Sequence, residues 1–142
     1  MIRLILIIAL LLGLSPLQSS GAEPLLIVAN PSVGDTASLT LKDVAAIYLL
    51  RVTVWPDGTH IIPVNREVAS DIRTEFSTVV LRQDTANLAA YWNEMHFQGK
   101  LPPLVQESEP AMLAFVQRVP GAIGYISAAT PPIGVKVLGH VP

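Results

Sequence analysis

Residues 54–76, VWPDGTHIIPVNREVASDIRTEF, run through a turn, an apolar strand, a polar junction and an amphipathic helix. Pro56-Asp57-Gly58 is turn chemistry, because proline presets φ and glycine accepts the backbone angles other residues avoid. His60 to Val64 reads as a strand, and Pro63, having no N–H, predicts an edge position or a strand end. Ala69 or Ser70 opens a helix with Ile72, Phe76, Val79 and Val80 as its apolar stripe; Asp71, Arg73, Thr74 and Glu75 fall on the wet side. A strand that ends in polar residues just before a helix is where open α/β sheets bind ligands. The helix N-terminus there offers free N–H groups and a positive dipole end. Arg66 adds a planar fork of donors suited to an oxyanion. A plainer reading stands beside this one: Ser70 caps the helix, Arg66 makes a surface ion pair, and Asp71 already satisfies the dipole.

Upstream, Leu25 to Ala29 (LLIVA) is a continuous apolar run, which predicts a buried strand of a mostly parallel sheet. Asn30 to Asp35 is loop chemistry with proline and glycine as breakers. Thr40 reads as an N-cap with Asp43 completing a capping box, and Leu41, Val44, Ala45, Tyr48 and Leu49 keep helical spacing to an end near Leu50 or Arg51. Val52 to Trp55 is a short β-branched stretch that predicts a strand.

Downstream, Asp84 or Thr85 caps a helix with Leu88, Tyr91, Trp92 and Met95 facing inward, and residues 98–106 read as a loop. Ser108 caps the next helix, Pro110 is tolerated in its first turn, and Pro120-Gly121 ends it. Ala122 to Ile126 (AIGYI) predicts a strand in which Gly124 marks a close backbone approach; Val135 to Leu138 predicts a last short strand. The order β, α, β, α, α, α, β, β is α/β in one domain. Trp55 and Trp92 are expected to pack in the interior.

The first 22 residues have their own pattern. One basic residue, Arg3, precedes an apolar run from Leu4 to Leu14 and a short polar stretch, with small residues at Ser20 and Ala22. That is the layout of a secretory signal peptide, too short for a comfortable membrane span, with cleavage expected after Ala22 and a periplasmic location. Residues 23–142 then form the domain, with eight basic and eleven acidic residues and a net charge of −3. Such a balance weighs against nucleic acid as partner. The chain has no cysteine, so its core alone must hold it. His60, His96 and His140 are scattered, no metal-ligand spacing occurs, and no nucleophile elbow, P-loop or dinucleotide fingerprint is present. Carboxylate pairs such as Asp71/Glu75 and Glu107/Glu109 fall on wet faces or in loops. The expectation is a non-enzymatic protein without metal or cofactor.

Several features in order carry a resemblance: LTLKDVAAIYLLRVTVWPDGTHIIPVNRE, then Ser70 to Phe76 as S-x-x-x-x-x-F, then Tyr91-Trp92, then VPGAIGYI from Val119 to Ile126. The chain resembles the phosphate ABC transporter substrate-binding proteins of the periplasmic-binding-protein-like superfamily. Arg66 and Ser70 match the arginine and first serine of that family's R-x-x-x-S-G-T phosphate loop, and Gly121 to Tyr125 match its GAIGY segment unchanged. The resemblance implies a single lobe of that fold, with a mostly parallel sheet flanked by helices. It implies binding of phosphate or a related oxyanion by Asn30, Ser32, Arg66 and Ser70, with an ABC transporter permease or a membrane sensor protein as partner. The chain departs from the family at Ser70-Asp71-Ile72, where the family has Ser-Gly-Thr, and in length, about half that of a two-lobed receptor. Those departures motivate an alternative: an envelope interaction or sensory scaffold that kept the fold and lost the ligand.

Overall fold

The computed structural model describes residues 23–36 and 39–142. The export signal expected over residues 1–22 lies outside them. Leu25–Ala29 forms β1, and Thr40 caps α1 (Leu41–Tyr48) through the expected reciprocal box with Asp43. The Thr40 hydroxyl and backbone N–H hold the Asp43 carboxyl below its ordinary range. β2 (Ile62–Arg66) leads through the polar junction into α2 (Asp71–Phe76), which continues as a π-helical turn over Ser77–Leu81 and stops where Arg82 turns left-handed. Then come α3 (Thr85–Phe97), β3 (Leu104–Gln106), α4 (Glu109–Arg118), β4 (Ala122–Ser127) and β5 (Lys136–Val141).

The strands form one sheet in the order β3-β2-β4-β1-β5. β3–β2 and β2–β4 are parallel, the portion that the expected parallel sheet describes. β1, expected to be a parallel strand, instead pairs antiparallel on both sides, with Leu25 opposite Ser127 of β4 and Val141 of β5. Its unbroken apolar sequence reports burial on both faces, which is independent of direction. Leu25, Ile27 and Ala29 face one core with α1, Phe76, Val80 and Tyr125, while Leu26 and Val28 face the other with Val64, Met112 and Val116. Helices therefore cover both faces, and the sheet is the middle layer.

Three other expectations need adjustment. Val52 to Trp55 forms no strand beyond a single bridge, Val54 to His60. β3 arises inside the stretch read as a loop, because three residues between Pro-Pro and an N-cap are too few to show a period. Pro63 lies within an interior strand but near its start, where β3 has not yet begun pairing, so its missing donor removes no bond from that ladder.

Two glycines are required by packing. Gly121, at φ +78°, sits so close to β2 that a Cβ there would overlap the carbonyl oxygen of His60. At Gly124 a Cβ would stand 2.6 Å from Met112 Sδ and 2.9 Å from Val116 Cγ2, so the absent side chain lets α4 lie directly on β4.

Candidate functional site

β2 and β4 run parallel, so their C-terminal ends share one edge of the sheet, and Arg66 closes β2 at that edge. Its side chain is 9% exposed. Nε and Nη2 donate to the two carboxylate oxygens of Glu67, at 3.0 Å each, in a planar two-point contact. The hydrogen bonds from Arg66, helped by the charges of Arg66 and Arg73, hold the Glu67 carboxyl below its ordinary range. The third nitrogen, Nη1, is buried with no hydrogen-bond partner among the described residues.

The backbone of this junction is fixed from three directions. The Tyr125 hydroxyl donates to Asn65 Oδ1 and accepts the Arg66 N–H at 3.1 Å, while Asn65 Oδ1 also accepts that N–H. Arg73 Nη1 donates to the Arg66 carbonyl at 2.6 Å. The Tyr48 hydroxyl bridges the carbonyls of Val64 (2.8 Å) and Ile123 (3.2 Å), tying β2 to β4 one step below. Burial pushes the Tyr125 phenol up to about 12, and that of Tyr48 well above the ordinary tyrosine value. Both stay neutral donors at physiological pH. Their rings enclose Phe76, which stacks on Tyr125 at 4.0 Å and meets Tyr48 edge-on at 4.6 Å.

Ser70 occupies the N-cap of α2, half-buried, but its hydroxyl makes no capping bond. Its carbonyl accepts the Thr74 N–H, so the helix starts without the side chain. Asp71 in the first turn is exposed. Beside the junction, a hollow of about 340 Å³ opens between α2 and α3, with Val68, Arg73, Leu88 and Trp92 among its walls. Trp92, expected inside, is half-buried here, whereas Trp55 is buried and donates its indole N–H to the Gly121 carbonyl at 3.0 Å.

Asn30 and Ser32 lie elsewhere. Because β1 runs antiparallel to β4, its C-terminal end meets the start of β4, and the Asn30 N–H donates to the Ala122 carbonyl. The Asn30 amide donates to the Val116 and Gln117 carbonyls at 2.8 and 3.0 Å, capping the end of α4, and its Oδ1 accepts the Ser32 N–H. Ser32 Oγ accepts the Gly121 N–H at 3.1 Å. These two residues latch the α4–β4 turn, about 13 Å of strand away from Arg66. Of the four residues expected at the site, the fold brings together Arg66 and Ser70 only. Glu67, Arg73 and Tyr125 are the neighbours that sequence reasoning did not supply. Glu67 is legible as the charge beside Arg66; Tyr125 is sixty positions from Asn65 and has no local signal.

Among the described residues no group of three or more His, Cys, Asp or Glu side chains converges to hold a metal, and no helix is long and apolar enough to cross a membrane. Comparison with solved structures finds an ABC-type phosphate transport receptor from Vibrio cholerae, 22% identical with a TM-score of 0.65, over 82% of this chain and 45% of that one. PstS from Borrelia burgdorferi is 20% identical with a TM-score of 0.64, over 82% of this chain and 46% of that one. At these identities the likeness is one of fold, and the chain matches less than half the length of either protein. No curated protein matches it by sequence. The sequence model described as a PBP superfamily domain matches residues 18–135. With a match over most of its length and a helix-flanked sheet of the same architecture, the chain belongs to the PBP superfamily domain family.

Proposed function

We propose that this chain is an exported, periplasmic solute-binding domain that takes phosphate or a related oxyanion at the end of β2, through Arg66 and Ser70. The observation that carries the reading is Arg66 Nη1, a buried charged donor without an acceptor among the described residues. Leaving such a group unpaired is costly, and an anion oxygen relieves that cost. The Glu67 carboxylate on the same guanidinium illustrates what the fork accepts, a planar pair of oxygens. The Ser70 hydroxyl, unused by its helix, is the second donor. In this reading Asn30 and Ser32 are structural, and an ABC permease is the partner in the envelope.

Calorimetric titration of the purified protein with inorganic phosphate tests it. Heat that saturates, and that Arg66→Ala abolishes, is the expected result. Asn30→Ala should leave affinity within about twofold but lower unfolding stability by about 1–3 kcal/mol, since two α4 carbonyls lose their donor. Silence at millimolar phosphate, or an Arg66→Ala variant that binds as well, rejects the reading.

One observation favours a second reading. Glu67 already fills two of the guanidinium's nitrogens, and exposed Asp71 places another negative charge at the helix start. A domain whose anion fork is satisfied internally would serve as an interaction or sensory scaffold in the envelope. Capture of a membrane sensor protein together with absent phosphate heat supports it; a small molecule carried through purification counts against it.

A further inference from the structure

We propose that the hollow between α2 and α3 is a subsite for a flat organic group, and that the oxyanion this domain takes is a phosphate monoester carrying one aromatic ring. The inference rests on the anion reading above and extends it. Val68, which lines the hollow, stands midway in sequence between the two anion donors, Arg66 and Ser70. The junction that holds the oxyanion is therefore also a wall of the hollow. Arg73 joins the two a second time: its Nη1 donates to the Arg66 carbonyl at 2.6 Å, and its side chain lines the hollow. An organic group attached to the bound oxyanion has this space directly beside it.

The walls select a ring. Trp92 lends the hollow an indole that is only half-buried, although the spacing of α3 points it inward. That indole is braced: the Tyr91 ring meets it edge-on at 5.0 Å, and the Tyr91 hydroxyl is itself fixed to the Leu49 carbonyl. An aromatic wall held in this way is in place before a ligand arrives. Val68, 69% exposed, adds apolar surface at the junction. Thr74, Thr78 and Asp84 also line the hollow, yet their polar atoms are engaged by the backbone. The two threonine hydroxyls donate to the carbonyls of Ser70 and Thr74, and the Asp84 carboxylate accepts the Asn87 N–H at 2.8 Å. Arg73 adds a guanidinium, which pairs with an oxyanion and also stacks on aromatic faces. Aromatic and apolar walls with a few placed polar groups are what small-molecule sites are made of. A cavity of about 150 Å³ already admits benzene, so about 340 Å³ takes one ring and its linking atoms. Inorganic phosphate leaves this surface unused.

Parallel calorimetric titrations of the purified protein with phenyl phosphate and with inorganic phosphate test this. Phenyl phosphate should bind about tenfold or more tightly than inorganic phosphate, the gain expected from one ring against an indole. Trp92→Ala removes the indole, and Ala89→Phe fills the hollow from the exposed side of α3. Each should erase the preference for phenyl phosphate, with the affinity for inorganic phosphate and the far-ultraviolet circular dichroism spectrum unchanged. Wild type binding both ligands equally, or a preference that survives both substitutions, overturns the inference and leaves the anion reading standing. Silence with both ligands overturns the two together.

Discussion

Tyr125 shows how one side chain ties the candidate site to stability. Its hydroxyl holds Asn65 and the Arg66 N–H, and its ring lies flat on Phe76 in the core. Burial is the main cause of its raised pKa, about 12 against an ordinary 10. A folded-state value above the unfolded one means that the neutral phenol is favoured by folding. The stabilisation is complete below pH 10 and is lost as pH rises from 10 to about 12, an amount of order 3 kcal/mol. Tyr48, shifted the same way by burial, adds to the same alkaline loss. Urea unfolding at stepped alkaline pH should show a flat plateau and then a decline, with a shallower decline in Tyr125→Phe. At neutral pH that variant should lose about 1 kcal/mol for the missing hydrogen bond. Little of this was legible beforehand, because GAIGY announces a strand and a turn but says nothing of the side chain that its tyrosine meets.

Elements whose boundaries depend on local chemistry were readable. The Thr40–Asp43 box, the Asp84 and Ser108 caps and the stop at Gly121 all stand where neighbouring residues put them, because a cap is made within four residues. How deeply an element is buried was less readable. In α3 the spacing of Leu88, Tyr91, Trp92 and Met95 points inward; Met95 is buried and half-buried Leu88 and Tyr91 pack against the core, whereas half-buried Trp92 borders an open hollow. The Tyr91 hydroxyl bonding the Leu49 carbonyl is a further tie to the body. A helix of thirteen residues with Met95 as its single buried residue opens more easily than α4, whose Met112 and Val116 are fully buried against β4. Amide hydrogen exchange should therefore proceed at least about tenfold faster in the middle of α3 than at the middle of α4. Equal protection would mean that α3 is held by contacts absent from this structure. The π-helical turn was equally hidden: Phe76 and Val80 are buried as helical spacing anticipates, but so is Leu81, which lies outside that stripe.

At the scale of the whole molecule, the two cores lie on opposite faces of one sheet and share β1 and β4, so they should melt together. Ile27→Ala on one face and Ile126→Ala on the other remove fully buried side chains, and each should cost about 2–5 kcal/mol. Both should shift a single transition, with tryptophan fluorescence and circular dichroism coinciding. Separate transitions would show that the layers fold independently. The direction of β1 also explains the split among the expected ligand contacts. A parallel β1 would carry Asn30 to the same edge as Arg66, whereas the antiparallel strand carries it to the opposite one, where it caps α4. The α/β class, the caps and turns, the two-sided burial of LLIVA and the polar junction from Arg66 to Ser70 are each written in residues close along the chain, and were legible there. Strand direction, the partner of each buried polar group and which loops share an edge emerge with the folded chain. Those depend on pairings such as Leu25 with Ser127, where residues far apart in sequence choose one another by register and packing, and no local pattern encodes that choice.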